Sequence, residues 1–164
     1  MKTVSAKEKI KKLEELERMV EEARKKGKKI VTTNGCFDIL HMGHIRYLQD
    51  AAKLGDLLIV GINSDASVRK LKGAKRPVVP ERERAEVVAS LGCVDYVFVF
   101  NEDTPIAFAG RLKPHVHAKG GDYFDKKMVE KEIIEKHGGK IIILKEEQGY
   151  STSNTIKRIN ERRG

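Results

Sequence analysis

Two periodicities of apolar residues divide the chain. Before Gly27, apolar residues recur three or four positions apart, as on one face of an amphipathic helix: Ile10, Leu13, Leu16, Val20 and Ala23. Ser5, followed three positions later by Glu8, has the pattern of a capping box at the helix start, and Gly27 is suited to its end. We therefore predict one N-terminal helix within residues 1–27. We favour its packing on the rest of the chain over a helix that binds a partner.

After Gly27, short apolar runs alternate with helical stretches. The predicted strands cover residues 29–34, 57–62, 94–100, 114–118 and 140–144. The predicted helices cover residues 43–54, 64–71, 81–91, 104–112, 126–137 and 151–162, and a basic loop covers residues 72–80. Strands that alternate with helices predict an α/β fold over residues 28–164. We expect a Rossmann-like, doubly wound, five-stranded parallel sheet with helices on both faces.

The loop after the first predicted strand, residues 34–44, is the expected ligand site. Open parallel sheets bind ligands beyond the carboxyl ends of their strands, where the strand order reverses. Because this loop also precedes a helix, free backbone N–H groups and the positive end of the helix dipole would face an anion there. The loop has neither Gly-x-Gly-x-x-Gly nor Gly-x-x-x-x-Gly-Lys-Ser/Thr. It has His41-Met42-Gly43-His44 instead.

The pair His41 and His44 admits three interpretations. Histidines three positions apart on a helix can point the same way and bind zinc, but further ligands would have to come from His115 or His117 by coincidence. The two rings could also simply pack in the core. In the third interpretation they donate hydrogen bonds to a triphosphate, and Gly43 lets a phosphate approach the backbone closely. We favour the triphosphate and expect no metal held by the protein.

Composition and charge narrow the class of protein. Lys and Arg number 33 against 24 Asp and Glu, a net charge of +9, which suits either a nucleic-acid-binding module or a surface that attracts phosphorylated small molecules. Charges of both signs are interleaved and aromatic residues make up only 5%, so we favour small molecules. There is no apolar run of membrane-spanning length and no signal-peptide core. Cys36 and Cys93 indicate neither a disulfide scaffold nor a zinc motif, so we expect a cytoplasmic protein.

The loop at 34–44 resembles the His-x-Gly-His signature of a nucleotidyltransferase superfamily that includes cytidylyltransferases and pantetheine-phosphate adenylyltransferases. Over residues 28–160, further strings are similar to those of the heptose 1-phosphate adenylyltransferases, the enzymes that make ADP-heptose. They are Asn-Gly-Cys-Phe-Asp-Ile-Leu-His at 34–41, Asn-Ser-Asp-Ala-Ser-Val at 63–68, Leu-Lys-Gly at 71–73, Arg-Pro at 76–77, Val-Asp-Tyr-Val at 94–97, Glu-Asp-Thr-Pro at 102–105, Lys-Gly-Gly-Asp-Tyr at 119–123 and Gly-Tyr-Ser-Thr at 149–152. The string at 119–123, together with the others, points to the heptose branch.

The resemblance implies an adenylyltransferase that transfers AMP from ATP to heptose 1-phosphate, giving ADP-heptose and pyrophosphate for the lipopolysaccharide core. It implies ATP and a sugar 1-phosphate as small-molecule partners, Mg2+ with the ATP, no nucleic acid, no membrane and a possible homodimer. Three alternatives stay open. They are another nucleotidyltransferase of the superfamily (a cytidylyltransferase or an FAD synthetase), a nucleotide-binding regulator without turnover, and a basic nucleic-acid-binding module.

By the same resemblance, the site residues fall into three groups. The catalytic residues are His41 and His44, which would bind the phosphates and the transition state, with Lys72 from the basic loop and Arg84, for which Arg82 is the competitor. The nucleotide-binding residues are Cys36 and Phe37 through their backbone N–H groups, with Gly43, Lys119, Gly120, Asp122, Ser151, Thr152 and Ser153. The sugar-phosphate-binding residues are Asn34 and Asp38.

Several of these residues also have a purely structural interpretation. Asp38 could shape the loop rather than contact the acceptor. The hydroxyl groups at 151–153 could serve as an N-cap, for which one serine is enough. The basic loop could be a solvated surface rather than a lid over phosphates. For Asp122 the sequence does not choose between ribose hydroxyls and a metal.

The chain also departs from the family patterns. Met42 stands where a smaller residue is usual, and Ser153 where threonine is usual. Glycerol-phosphate cytidylyltransferases carry Arg-Thr-Glu-Gly before the final Ser-Thr, whereas residues 146–149 here are Glu-Glu-Gln-Gly, which argues against that activity. Many heptose-branch relatives are fused to a sugar kinase, for which 164 residues leave no room, so we expect a stand-alone transferase or an excised piece.

Overall fold

Five parallel strands form one sheet, as the sequence predicts. In the computed structural model, which describes residues 4–121, 128–145 and 149–162, the strands are β1 (Ile30–Gly35), β2 (Leu57–Asn63), β3 (Tyr96–Phe100), β4 (Val116–Gly120) and β5 (Lys140–Leu144). Their order across the sheet is β3-β2-β1-β4-β5, and every neighbouring pair is parallel. This confirms the predicted Rossmann-like, doubly wound α/β fold.

Helices connect the strands within the described residues. They are α1 (Ala6–Lys9), α2 (Leu13–Lys25), α3 (Met42–Ala52), α4 (Asp65–Lys72), α5 (Glu81–Ala89), α6 (Ile106–Leu112), α7 (Lys131–Lys136) and α8 (Thr152–Glu161). Those after β1 lie close to their predicted bounds, with the exception of α7. Residues 128–130 are not helical, so α7 starts later than predicted, and residues 126–127 lie outside the described part. None of the described helices is both long enough and apolar enough to cross a membrane.

The N-terminal region forms two helices, so the prediction of a single helix is wrong. Ile10 leaves the helical conformation to form a parallel bridge with Val97, and the Lys11 N–H donates to the Val97 carbonyl over 2.9 Å. This pairing with β3 interrupts the helix at a point where the apolar spacing continues unbroken. The predicted capping box is present, because the Glu8 N–H donates to Ser5 Oγ and the Ser5 N–H donates to a Glu8 carboxylate oxygen.

The helix α2 packs on the sheet. Leu16 and Val20 are its buried residues, and both belong to the apolar layer that covers one sheet face. This is the packing that we favoured over a partner-binding helix. The division of the chain into residues 1–27 and 28–164 stays a prediction.

Two apolar layers cover the two faces of the sheet. On one face, Leu48 of α3 and Val88 of α5 pack with Val60. On the other face, Phe108 of α6 packs with Ile59. Ile59 and Val60 are adjacent in β2 but belong to opposite layers, because successive side chains of a strand point to opposite faces. Each fully buried side chain of this kind contributes about 1.5–3 kcal/mol, and the double cover explains the continuous apolar run of β2.

The strand order places the switch point of the sheet between β1 and β4. From β1 the sheet extends through β2 to β3 on one side, and through β4 to β5 on the other. Thr32 of β1 pairs with His117 of β4, and the strands end at Gly35 and Gly120 on the same edge. The loops that follow β1 and β4 diverge there and leave a crevice.

Candidate functional site

A cavity of about 580 Å³ lies at this switch point. Its wall combines the loop after β1, the start of α3, the end of β4 and the start of α8. The structure brings most of the predicted site residues together on this wall: Asn34, Cys36, Phe37, Asp38, His41, Gly43, His44, Lys72, Lys119, Gly120, Ser151, Thr152 and Ser153. Arg84 is absent from the lining, and Asp122 lies outside the described residues.

His41 and His44 stack on each other at the start of α3. Their ring centroids are 3.8 Å apart and the rings are inclined by 21°. The His41 backbone N–H donates to His44 Nδ1 over 3.4 Å. Burial, and secondarily the neighbouring His41, lower the pKa of His44 to about 4. His44 is therefore neutral at pH 7, and because its Nδ1 accepts, its proton is assigned to Nε2, which becomes a hydrogen-bond donor.

Lowering the pH is expected to destabilise the protein through His44. The unfolded chain takes up a proton near the ordinary histidine pKa of about 6.5, whereas folded His44 does so only near pH 4. The unfolded state thus binds more protons between these values, and the free energy of unfolding falls by up to about 3 kcal/mol as the pH drops from about 6.5 to about 4.

Urea unfolding of the wild type and of His44→Gln, between about pH 7 and about pH 4.5, checks this expectation. The variant should lose stability less steeply on acidification, by about 1.4 kcal/mol per pH unit. His137→Gln is the matched control, because His137 is exposed on the surface and should keep the wild-type slope. Equal slopes for the wild type and His44→Gln would contradict the assigned protonation.

Gly43 is closely packed in the histidine loop (residues 34–44). A Cβ atom at this position would lie 3.0 Å from His41 Nδ1 and 3.1 Å from Tyr150 Cβ, closer than most real Cβ contacts, so a side chain here would shift His41 or Tyr150. Tyr150 also lines the cavity, and its ring lies nearly parallel to His41 with centroids 6.4 Å apart. The sequence motif contained Tyr150, but nothing in the spacing indicated this contact.

Two helix N-termini lie at the cavity, those of α3 and α8. Ser151 is the N-cap of α8, and its Oγ accepts from the Asn154 N–H over 3.0 Å. The Thr152 hydroxyl donates to the carbonyl of Ile39 over 3.2 Å, which ties α8 to the loop after β1. Ser151 therefore has the N-cap role, whereas Ser153 lines the cavity. The unsatisfied N–H groups and helix dipoles make this edge suitable for anions.

Asp38 ties the loop after β1 to the basic loop before α5. Its carboxylate accepts from Arg76 Nε and from the backbone N–H groups of Val78 and Val79, and its side chain is 1% exposed. Burial alone would raise the pKa of Asp38, but the hydrogen bonds from Val79, Val78 and Arg76 together lower it. Of the two roles left open for Asp38, this geometry supports the shaping of the loop.

Arg84 holds several loops together and does not face the cavity. It is 1% exposed, and its guanidinium donates to the carbonyls of Val79, Asn63 and Cys36 and to the carboxylate of Asp65. With these acceptors engaged, the guanidinium is held away from any ligand in the cavity. This geometry favours a positioning role for Arg84, and the catalytic role expected from the resemblance stays a prediction. Its competitor Arg82 lines a separate, smaller pocket.

Lys119 lies at the floor of the cavity in a buried network. Its Nζ is 2.6 Å from Glu130 Oε1 and donates to Asn34 Oδ1 over 3.2 Å. Below it, His117 Nδ1 lies 2.8 Å from Thr32 Oγ1. Burial, and then the charge of Lys119, hold the pKa of His117 well below its ordinary value, so the ring is neutral. Sequence reasoning missed Glu130, because a carboxylate within a highly charged stretch resembles a solvated surface residue.

Cys36 is a further titratable group on the cavity wall. Burial raises the pKa of its thiol, and the nearby cations Lys72, Arg84 and Arg76 only partly oppose the effect. The thiol is therefore protonated at pH 7 and unsuited to nucleophilic attack. This agrees with a role for Cys36 through its backbone only.

The fold and the cavity define a class of protein, the doubly wound α/β proteins whose ligand site lies at the switch point of a parallel sheet. The sequence model of the cytidylyltransferase-like family matches residues 32–161. The match covers most of the chain and includes most of β1, the histidine loop and α8. This chain belongs to the cytidylyltransferase-like family. The superfamily to which the His-x-Gly-His loop pointed is thereby confirmed.

Similar proteins include two curated relatives and one solved structure. The chain is 52% identical to the bifunctional protein HldE of Pelobacter propionicus over 154 residues, 94% of this chain, and 54% identical to that of Helicobacter pylori over 144 residues, 88% of this chain. These matches cover 32% and 30% of the relatives, so the chain spans about a third of their length. The structure of the lipopolysaccharide core biosynthesis protein from Thermoplasma volcanium has a TM-score of 0.61 and 31% identity, covering 76% of this chain and 100% of that chain.

Proposed function

We propose that this chain is an adenylyltransferase that transfers AMP from ATP to heptose 1-phosphate and releases ADP-heptose and pyrophosphate. The observation that carries the proposal is the cavity at the switch point, where the stacked histidines His41 and His44, two helix N-termini and the lysines Lys72 and Lys119 line one space. The heptose acceptor rests on the motif resemblance. It is supported by the similarity to the HldE proteins and to a lipopolysaccharide core biosynthesis protein.

The proposed nucleotidyl transfer requires neutralisation of phosphate charge and does not require a strong base. A phosphate oxygen of the sugar forms a new bond to the α-phosphorus, while the bond from that phosphorus to the bridging oxygen of the β-phosphate breaks. The electron pair leaves with pyrophosphate. The attacking oxygen is already anionic, so no proton has to be removed from it. Catalysis then depends on alignment and on donors aimed at the charge of the transition state.

We assign separate roles in binding the phosphates to the residues that line the cavity. His44 Nε2–H donates to an oxygen of the transferring phosphate, and His41 binds the phosphates beside it. The N-termini of α3 and α8 and the ammonium groups of Lys72 and Lys119 neutralise the remaining phosphate charge. Lys145 also lines the cavity and adds a cation that the motifs did not indicate.

Magnesium belongs to the substrate in this proposal. Mg2+ binds phosphate oxygens and waters with few protein ligands. Among the described residues, no group of three or more His, Cys, Asp or Glu side chains is placed to hold a metal ion. The buried carboxylates at the cavity, Asp38 and Glu130, are paired with Arg76 and Lys119. We therefore propose that Mg2+ enters bound to ATP and lowers its net charge.

Pyrophosphate release tests the proposed reaction. The protein is given ATP, CTP or GTP with Mg2+, each with and without heptose 1-phosphate, and the products are identified by mass spectrometry. We expect release only with ATP plus the heptose phosphate, and its loss when EDTA is added in excess over Mg2+. The same assay without protein sets the background.

Other outcomes of this assay, together with measurements of nucleotide and nucleic-acid binding, identify the alternative functions. Release from CTP, or with riboflavin phosphate or an alcohol phosphate as acceptor, would assign the chain to another branch of the superfamily. Nucleotide binding without release would indicate a regulator. Tight DNA or RNA binding that weakens steeply with salt, and no release, would indicate a nucleic-acid-binding module.

A further inference from the structure

Glu130 is a buried carboxylate on the cavity wall. Its side chain is 3% exposed, and it lies directly before α7. A carboxylate at this depth requires a cation or hydrogen-bond donors. Its Oε1 lies 2.6 Å from Lys119 Nζ, and the same ammonium donates to Asn34 Oδ1. Glu130 and Asn34 together therefore fix the ammonium group at the end of β4.

His117 offers Glu130 a second partner. Its Nε2 lies 3.7 Å from Glu130 Oε1, slightly beyond hydrogen-bond distance, and makes no hydrogen bond with any described residue. Thr32 Oγ1 lies 2.8 Å from the other ring nitrogen. A donated hydrogen bond from the Thr32 hydroxyl to Nδ1 leaves the imidazole proton on Nε2, facing the carboxylate. A shift of Glu130 by about 0.5 Å would complete this hydrogen bond.

We propose that Glu130 is a positioning residue for the nucleotide phosphates and that it acts only through Lys119. In the free protein, the carboxylate holds the ammonium of Lys119 against Asn34. When phosphate oxygens bind the ammonium, the carboxylate shifts toward His117 Nε2, and the neutral imidazole donates to it. The inference rests on the proposed function to the extent that Lys119 binds phosphate.

Two physical effects favour this arrangement. A lysine side chain has four flexible bonds, so an ammonium that is already held in place loses less freedom when it binds a phosphate. An unpaired carboxylate at the cavity would repel the triphosphate, and its ion pair with Lys119 offsets that repulsion. Glu130 therefore helps binding only while Lys119 is present.

A double-mutant cycle tests this dependence. ATP and inorganic tripolyphosphate are titrated calorimetrically into the wild type, Lys119→Met, Glu130→Gln and the double variant. Lys119→Met should weaken binding about 10- to 100-fold, as loss of a charged hydrogen bond does. Glu130→Gln should weaken it about 5-fold, and the double variant should bind no more weakly than Lys119→Met alone. Glu132→Gln, on the exposed side of α7, is the matched control and should bind like the wild type.

Additive effects, or a Glu130→Gln variant that binds like the wild type, would overturn the proposal. Thermal unfolding of all variants identifies losses of fold. The double variant removes both buried charges together and is expected to fold. If Glu130→Gln does not fold, Glu130→Asp, with and without Lys119→Met, replaces it in the cycle.

The binding measurement separates this proposal from the proposed reaction. If the wild type binds tripolyphosphate with the expected coupling but releases no pyrophosphate, the reaction is refuted and the role of Glu130 stands. If the wild type binds neither ATP, CTP nor tripolyphosphate, Lys119 is not a phosphate ligand and both proposals are refuted.

Discussion

Replacing His44 with alanine is expected to lower the turnover number about 100-fold or more, as does the removal of one preorganised transition-state donor in other enzymes. His44 is neutral in the free protein, and its Nδ1 already accepts from the His41 backbone. Only Nε2–H is left to meet the transferring phosphate. This donor is positioned by the ring stack before any ligand arrives, so it needs little reorganisation during the reaction.

Steady-state kinetics with ATP and heptose 1-phosphate measure the effect of His44→Ala. His44→Phe is a matched variant, because it keeps an aromatic ring against His41 but has no N–H donor, and it should be as slow as His44→Ala. His44→Gln, whose amide N–H reaches toward the position of Nε2, should recover part of the rate. A His44→Phe variant with wild-type turnover would show that the hydrogen bond is not used.

The architecture was predictable because its signals are local. A parallel strand covered on both faces must be apolar throughout, and β2 shows this directly in the sequence. The switch point then follows from the order of strands and helices, which directs attention to the loop that holds His41 and His44. About half of the residues that line the cavity were therefore among the predicted site residues.

The features that sequence reasoning missed depend on contacts between distant parts of the chain. Ile10 has the helical spacing of its neighbours, and only the adjacent edge of β3 draws it out of the helix. Glu130 becomes a buried ion pair only because the segment before α7 lies over Lys119 of β4. The spacing of apolar residues cannot predict these contacts, because it indicates which face of an element is buried and not which element packs against that face.

The orientation of Arg84 is a further feature that could not be predicted from the sequence. The resemblance gave Arg84 a catalytic role, but the structure surrounds its guanidinium with backbone carbonyls. A motif match transfers the residue type and leaves the orientation of the side chain open. The possible homodimer, which the resemblance implies, and the cytoplasmic location expected from the sequence stay predictions that light scattering and cell fractionation would test.

Arg84→Met is expected to lower the free energy of unfolding by about 3 kcal/mol, because it removes the donor to several backbone carbonyls and the partner of the half-buried Asp65 carboxylate. Methionine fills much of the volume but leaves the carbonyls of Cys36, Asn63 and Val79 without their donor, and each unsatisfied buried group is costly. Because the Cys36 carbonyl belongs to the histidine loop, ATP binding should weaken as well. Urea unfolding and ATP titration measure the two effects.

Arg82→Met is the matched control for this prediction, because Arg82 lies on the exposed side of the same helix and should change stability little. Arg84→Lys keeps the charge but reaches fewer acceptors, so its stability should lie between those of the wild type and Arg84→Met. If Arg84→Met unfolds at the wild-type urea concentration yet loses turnover, the positioning role is wrong. Arg84 must then reach the phosphates directly, in a conformation in which its guanidinium has left the buried carbonyls.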